Sequence, residues 1–306
     1  MPAAAAKPDL GAPRRLLLVD GHAYAYRAFH AIRQLDGPDG APTNAIFGFV
    51  KMLAKLRALL QPTHVAVVWD GGLAAERMAL LPGYKAQRPP MPDGLRRQLD
   101  EIVTFLGAAR VTSLRADGVE ADDWLATLAR RAAAAGLNVV IASSDKDFMQ
   151  LVSPQIGLYN PNDKSEAVWT REQVAAKTGV EPEQIVDYLS LVGDAVDNIP
   201  GAVGVGPKTA AELLRQFVSI EALLARLPEV KSDRVRASLA TSAADLRRNQ
   251  QMIRLYDDLP LATPLETLAV RDGDNDALLA LYTRWGFGSL RRELEAAKPP
   301  QGDLFR

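Results

Sequence analysis

Three near-continuous apolar runs mark the first half of the chain: RLLLVD ending at Asp20, HVAVVWD ending at Asp70 and NVVIASSD ending at Asp145. Unbroken Leu, Val and Ile, with no alternation, predict strands covered on both faces, as in a parallel sheet. Between them the apolar positions recur every three or four residues. Residues 43–60 carry Ala45, Phe49, Met52, Leu53, Leu56 and Leu60, and 94–106 and 121–135 repeat the pattern, which predicts helices. Strand and helix alternating in this way predict a doubly wound α/β layer whose ligands gather beyond the carboxyl ends of the strands.

Past about residue 185 the strand-like runs cease and helical periodicity takes over, broken by short Gly/Pro turns. NIPGAVGVGPKTAAELLRQF (198–217) reads as a helix end, a glycine-rich turn and a new helix. The expected organisation is a leader over 1–13, an α/β core over 14–186, a helical region over 187–294 and a tail over 295–306 that opens at a Pro pair.

Composition narrows the chemistry. No apolar run approaches the roughly 18 residues of a membrane span, and the opening MPAAAAKPDLGAP lacks the apolar stretch of a secretory signal, so a soluble cytoplasmic protein is expected. There is no cysteine, which excludes disulfides and thiolate zinc, and three scattered histidines do not suggest an imidazole cage. Any metal here must be a hard ion held by oxygen. Lys plus Arg number 36 against 37 Asp plus Glu, so net charge says nothing about a polyanionic partner.

All three strand-like runs end in Asp, where a site would form. An Asp after a strand is ordinarily a loop residue or helix cap, but three in succession weaken that account. GVEADDW (118–124) adds Glu120, Asp122 and Asp123 at a helix start. At 100° per residue Asp122 falls on the apolar stripe of Leu125, Ala129 and Ala132, while Asp123 points to the side. Dipole complementarity explains one or two acids in a first turn, not one on the inward stripe. Asp145 and Asp147 in SSDKDF, with Asp194 and Asp197 in GDAVDN, bring the set to nine carboxylates. If they converge they repel one another, by roughly 4 kcal/mol for a pair about 4 Å apart at an effective dielectric of 20. Two Mg²⁺ or Mn²⁺ ions would offset this, and a pair of such ions is the standard device for phosphodiester displacement without a side-chain nucleophile. Basic residues beside an aromatic in YKAQRPPMPDGLRRQL (84–99) suit a phosphate backbone, as do Gly204, Gly206, Lys208 and Thr209 in GVGPKTA at a helix start.

LLLVDGHAYAYRAFHA, YKAQR, GVEADDWLATLA, SSDKDFMQLV and GDAVDNIPGAVGVGPKTAAELL together resemble the 5′-nuclease domain of bacterial DNA polymerase I, within the flap endonuclease family. The match runs in order from about residue 14 to 294. It implies a PIN-like core with a mostly parallel sheet flanked by helices, a helical arch near 77–105 and a helix-hairpin-helix-like element gripping duplex DNA. The implied activity is 5′→3′ exonuclease and flap endonuclease, acting on 5′ flaps, nicks or RNA primers at the bacterial nucleoid. Carried over, Asp20, Asp70, Glu120, Asp122 and Asp123 resemble the ligands of one metal site, with Asp145, Asp147, Asp194 and Asp197 around the second. Tyr84, Lys85 and Arg88 match the catalytic arch, and Arg27 and Arg77 match DNA contacts. The turn at 203–209 matches one that holds a K⁺ ion. AAERMAL keeps Arg77 but has Glu76 and Ala79 where the family carries an aromatic and a glutamate. In the tail, Gln301, Asp303, Leu304 and Phe305 resemble a peptide that docks on the bacterial sliding clamp.

Two other readings compete: a non-catalytic DNA-junction or clamp-associated module, and an RNA-directed nuclease on a similar core. Mutually repelling acids argue against the first, and 187–217 against the second. Nothing in the chain demands more than a monomer.

Overall fold

The computed structural model describes residues 14–260 and 262–297. Strand β1 (Arg15–Asp20) runs directly into α1 (Gly21–Ala31), because the Asp20 side chain accepts from the Ala23 N–H at 3.0 Å and caps the helix. Next come α2 (Asn44–Leu60), β2 (His64–Val68), α3 (Ala75–Leu80), α4 (Asp93–Ala108), β3 (Thr112–Leu114), α5 (Ala121–Ala134) and β4 (Asn138–Ala142). A 3₁₀ segment (Lys146–Leu151) leads to β5 (Ile156–Tyr159) and β6 (Val168–Trp169). The remainder is α6 (Arg171–Thr178), α7 (Ile185–Val192), β7 (Gly193–Asp194), β8 (Ile199–Pro200), α8 (Pro207–Phe217), α9 (Ile220–Ala225), α10 (Asp233–Thr241), α11 (Ala243–Ile253), α12 (Asn275–Arg284) and α13 (Gly288–Ala297).

The main sheet has the order β3-β2-β1-β4-β5-β6, parallel except for β6 at the edge. The chain winds from β1 to β2 and β3, then returns to the other side of β1 at β4. The direction of winding therefore reverses between β1 and β4, which is where an open α/β sheet leaves a crevice beyond its carboxyl ends. Asp20 and Ser143 stand at that point, and the Ser143 hydroxyl donates to Asp20 Oδ2 at 2.8 Å.

Alternate β1 residues feed two cores. Leu16 and Leu18 pack with α5 and continue into the α7, α8 and α11 helices, whereas Leu17 and Val19 pack with α1, α2 and α4. All four are fully buried, worth about 1.5–3 kcal/mol each relative to exposure. The helical region expected over 187–294 is divided by this arrangement. Helices α7 to α11 extend the α5 side, but Leu278 and Tyr282 of α12, with Trp285 and Phe287 just after it, return to the α2/α4 side.

The strands expected at Asp20, Asp70 and Asp145 are present, and so are the three helices between them. Strands β3, β5 and β6 and helix α1 were not foreseen. The region after 185 was expected to hold no strand, but Gly193–Asp194 pairs with Ile199–Pro200. Gly193 makes this turn possible: its φ is +81°, and a Cβ there would stand 2.4 Å from the Gly201 nitrogen.

Candidate active site

A cavity of about 680 Å³ opens at the carboxyl ends of β1, β2 and β4. Its walls carry Asp20, Asp70, Asp122, Asp145, Asp194 and Asp197. Six of the nine acids are thus brought to one cleft from separate segments of chain. Several are held by backbone N–H groups. Asp70 Oδ1 accepts from Ala121 N at 2.8 Å, Asp145 Oδ1 from Asp147 N at 2.9 Å, and Asp194 Oδ1 from Val196 N at 2.9 Å.

The electrostatics divide the acids into two groups. Burial pushes the Asp20 carboxyl up to about 6, with Asp70 and Asp145 adding to the rise against hydrogen bonds from Ala23 and Ser143. Burial, then Asp145 and Asp20, raise Asp122 well above the usual carboxylate range, and burial with neighbouring acids raises Asp145 and Asp147 too. Asp147 does not line the cavity, but its Oδ1 is buried and has no hydrogen-bond partner. These acids are crowded and under-compensated. At the rim Lys146 pairs with Asp194 at 3.2 Å and Arg88 with Asp197 at 2.5 Å.

The second group is a correction. Asp123, expected among the metal ligands, turns away from the cleft and grips Arg77 through two bonds of 2.6 and 2.8 Å, while also accepting from Tyr256 N at 2.9 Å. Arg77, expected on DNA, is only 2% exposed; it also bonds Glu120 and donates to the Met252 and Arg254 carbonyls. Glu120 spends both carboxylate oxygens on protein groups, Oε1 on Lys85 and on the Tyr84 hydroxyl at 3.2 Å, and Oε2 on Arg77. Burial alone would raise Glu120, yet Lys85 and Arg77 hold it below its ordinary value. Asp123 does point to the side, as its helical position predicts; the ligand role implied by the resemblance fails because that side is buried, nine α5 residues being covered as its flank packs on the helical region.

Tyr84 and Lys85 belong to a turn, not to an arch helix, and both are buried. That turn is clamped by the 193–198 segment: Lys85 N donates to the Asp197 carbonyl at 3.1 Å and Asn198 Nδ2 to the Gly83 carbonyl at 2.8 Å. Arg88, at the end of the same turn, faces the cleft. Gly204, Gly206 and Lys208 are exposed around a turn where Gly204 has φ +80°, and Thr209 is half-buried in the first turn of α8. Arg27 is exposed on the face of α1 turned from the acids and bonds Asn162. Gln301, Asp303, Leu304 and Phe305 lie outside the described residues.

Sequence reasoning missed His22, Tyr26 and Lys146, all of which line the cavity. His22 and Tyr26 carry a usable signal, being four apart on one face of the helix that Asp20 caps. His22 Nδ1 accepts from Asp70 N at 3.1 Å, and burial lowers its pKa despite Asp70.

A divalent cation fits this donor set, with one amendment. Among the described residues no three Asp, Glu or His side chains converge as a close ligand group. The carboxylates are instead spread around the cavity, and ions held among them would complete their coordination with water, as Mg²⁺ ordinarily does. The unpartnered Asp147 oxygen and the carboxyls that burial and neighbouring acids raise around Asp122 are a donor set that a cation would satisfy.

Two family models match in succession: the 5′-3′ exonuclease N-terminal resolvase-like domain over residues 15–179 and the 5′-3′ exonuclease C-terminal SAM fold over 180–276. The chain is similar to a 5′-3′ exonuclease of Aquifex aeolicus, 38% identical over 282 residues, covering 92% of this chain and 96% of that protein. It is similar to the thermostable DNA polymerase I of Thermus thermophilus, 40% identical over 290 residues, covering 93% of this chain but only 34% of that protein. In fold it resembles a T5 5′-exonuclease with bound zinc, at TM-score 0.66 and 21% identity, covering 92% of this chain and 99% of that one. It also resembles the catalytic core of Rad2 in complex with DNA substrate, at TM-score 0.62 and 17% identity, covering 92% and 91%.

Proposed function

The chain belongs to the 5′-3′ exonuclease family, and from that premise we propose that it hydrolyses phosphodiesters of DNA at 5′ ends and flaps, with divalent ions held in the acidic cleft. The observation that carries the reading is the under-compensated set of Asp20, Asp122, Asp145 and Asp147 at the point where the sheet reverses its winding. A non-catalytic module offers no account of acids buried and crowded together at a cavity.

Asp20, Asp70, Asp122 and Asp145 would hold one face of the metal centre, and Asp147, Asp194 and Asp197 the other, as two Mg²⁺ or Mn²⁺ ions. Bound there, such ions supply Lewis-acid polarisation of the phosphate and a more acidic attacking water. The chain's own groups do the rest. Arg88 and Lys146 at the rim are placed to draw a phosphate towards the acids, exchanging Asp197 and Asp194 for it. Lys85 is held over the Tyr84 ring at 4.8 Å beside Glu120, with its charge also felt by Asp122. Movement of the clamped turn would carry Lys85 and Arg88 onto substrate together. Tyr26 and His22 line the cavity beside them, on one face of α1.

Lys208 and the open amides of the first α8 turn would grip duplex backbone, with K⁺ at the 203–209 turn. Nicked DNA and RNA primers are further substrates of the same centre, acting as a monomer on nucleoid DNA. Gln301, Asp303, Leu304 and Phe305 would tether it to the sliding clamp, a reading supported by sequence alone. No helix among the described residues is long and apolar enough to cross a membrane.

The test is cleavage of end-labelled flap, nicked and RNA–DNA hybrid substrates with Mg²⁺ and with chelator. Release of 5′ products only with the metal is expected. Equal cleavage in chelator removes the proposal.

A further inference from the structure

A second cavity, of about 450 Å³, lies across α1 from the acidic one, at the carboxyl end of β5. Helix α1 separates the two: His22, Ala23 and Tyr26 face the acids, while Tyr24 and Arg27 face this second space. Its volume falls in the range of about 300–1,000 Å³ usual for small-molecule sites.

Two features make it more than a surface hollow. Tyr24 is only 2% exposed, and its hydroxyl is buried with no hydrogen-bond partner. A buried hydroxyl left unpaired is destabilising, and natural structures ordinarily satisfy it with protein, water or ligand. Around the mouth stand three cations, Arg27, Lys55 and Lys164. Lys55 is paired with Glu166 and Arg27 bonds Asn162, while Lys164 makes no ion pair among the described residues. Against them the lining holds two acids, Asp163 and Glu166, and Asp163 is engaged by Trp169 Nε1 at 2.6 Å and Ser165 N at 2.9 Å. The remaining wall is apolar or aromatic, from Met52, Leu56 and Tyr159.

A buried, unpaired hydroxyl, a cationic mouth and an apolar wall with an aromatic ring together suit a ligand with both a phosphate and a planar heterocycle. We propose that this cavity binds a nucleoside 5′-monophosphate unit, its phosphate at Lys55, Lys164 and Arg27 and its base against Tyr159 and Met52. Choosing a nucleotide over other aromatic phosphates rests on the nuclease reading. The same chemistry has two sources, a free mononucleotide released by cleavage or one nucleotide of the substrate strand passing α1.

The test is calorimetric titration of the whole protein with dTMP and separately with inorganic phosphate, both in chelator so that no metal in the acidic cleft recruits the nucleotide. Saturable dTMP binding, tighter than inorganic phosphate, is expected. Tyr24→Phe, which keeps the ring and the packing, should weaken it severalfold, and the pair Lys55→Gln with Lys164→Gln by about tenfold or more, the scale of lost charged hydrogen bonds. Asp145→Asn should leave dTMP binding intact while abolishing cleavage, so loss of the nuclease reading and loss of this site register separately. No saturable dTMP binding, phosphate binding as tightly as dTMP, or unchanged affinity in both variants overturns the proposal. Flap-cleavage kinetics then separate the sources. A free product predicts dTMP inhibition that the Lys variants abolish without a change in KM. A strand nucleotide predicts about a tenfold rise in KM with kcat retained. Binding with neither kinetic effect removes both sources and the proposal with them.

Discussion

Asp122 and Asp123 are adjacent in sequence and opposite in fate. Asp122 opens onto the cleft among acids that raise its pKa, while Asp123, 2% exposed, is locked onto Arg77 beside Glu120. One acid cluster has its countercharges built in; the other has them only at its rim, on Asp194 and Asp197. A buried ion pair with every donor used is architecture, because neither partner is available to anything else. Crowded acids with too little countercharge mark a binding site. The comparison is therefore between two answers to the same electrostatic problem, one permanent and one conditional.

The largest effect should come from the conditional side. Asp122→Asn removes one charge from the cleft but none from the Arg77 network. Flap cleavage is expected to fall about a thousandfold, the scale of losing a principal electrostatic element of a site. The metal-free protein should melt at the same temperature or slightly higher, since repulsion with Asp145 and Asp20 is relieved. A clear drop in melting temperature with activity retained would reverse the assignment of the two acids.

Asp123→Ala should show the complementary pattern. It leaves the buried Arg77 guanidinium with Glu120 as its remaining carboxylate, one that Lys85 also uses, and removing one partner of a buried pair costs about 3–5 kcal/mol. Urea unfolding of the variant should show it. The fraction that remains folded should still be stabilised by Mg²⁺, by about 2.7 kcal/mol at a hundred times the dissociation constant. Loss of the metal response without loss of stability would place Asp123 in the cleft after all.

The two regions should also titrate with opposite signs. Asp20 has a folded pKa near 6 against 3.8, so folding favours its protonated form. In chelator its contribution is full below about pH 4 and is lost as pH rises through 6, a change of about 3 kcal/mol at 1.36 kcal/mol per unit. Glu120 is held below its ordinary value, so its contribution is present at neutral pH and lost as pH falls through the acid range. Unfolding measured from pH 4 to 7 in chelator should show this slope, to which the other raised acids add with the same sign, and Asp20→Asn should make it shallower. Saturating Mg²⁺ should remove it, since a bound cation favours the charged form.

How much of this was legible before the structure follows from range. The strands at Asp20, Asp70 and Asp145 are dense apolar runs, and the helices between them have clear spacing, so the α/β order was readable. Strand β3 is three residues and β6 two, too short to carry a pattern, and α1 hides its periodicity in GHAYAYRAFHA, where Ala and Tyr alternate. In the site, the acids were visible because each sits in a local motif. Arg77 was not placed correctly because its partners lie 43 and 46 positions away and its carbonyl acceptor at Met252 lies 175 away. Helical spacing says which face a residue is on, but α5 is covered on nearly every face. It could not say that Asp123's cover would be an arginine.

Lys85 stands between the two regions and gives the smallest test. Its ammonium pairs with Glu120 of the permanent network, yet its charge lowers the Asp122 pKa in the cleft. Its backbone is left-handed, φ 56°, held there by the bond to the Asp197 carbonyl. That conformation costs a residue with a Cβ about 1 kcal/mol or more, and glycine much less. Lys85→Gly and Lys85→Ala lose the same amine, so both should cut cleavage alike. The glycine variant should nonetheless unfold at higher urea, by about 1 kcal/mol, because it fits the turn without strain. If alanine is instead as stable as glycine, the turn relaxes once the amine is gone. The ion pair with Glu120, not the clamp at Asp197, would then be what fixes Lys85, and the residue would belong wholly to the permanent network.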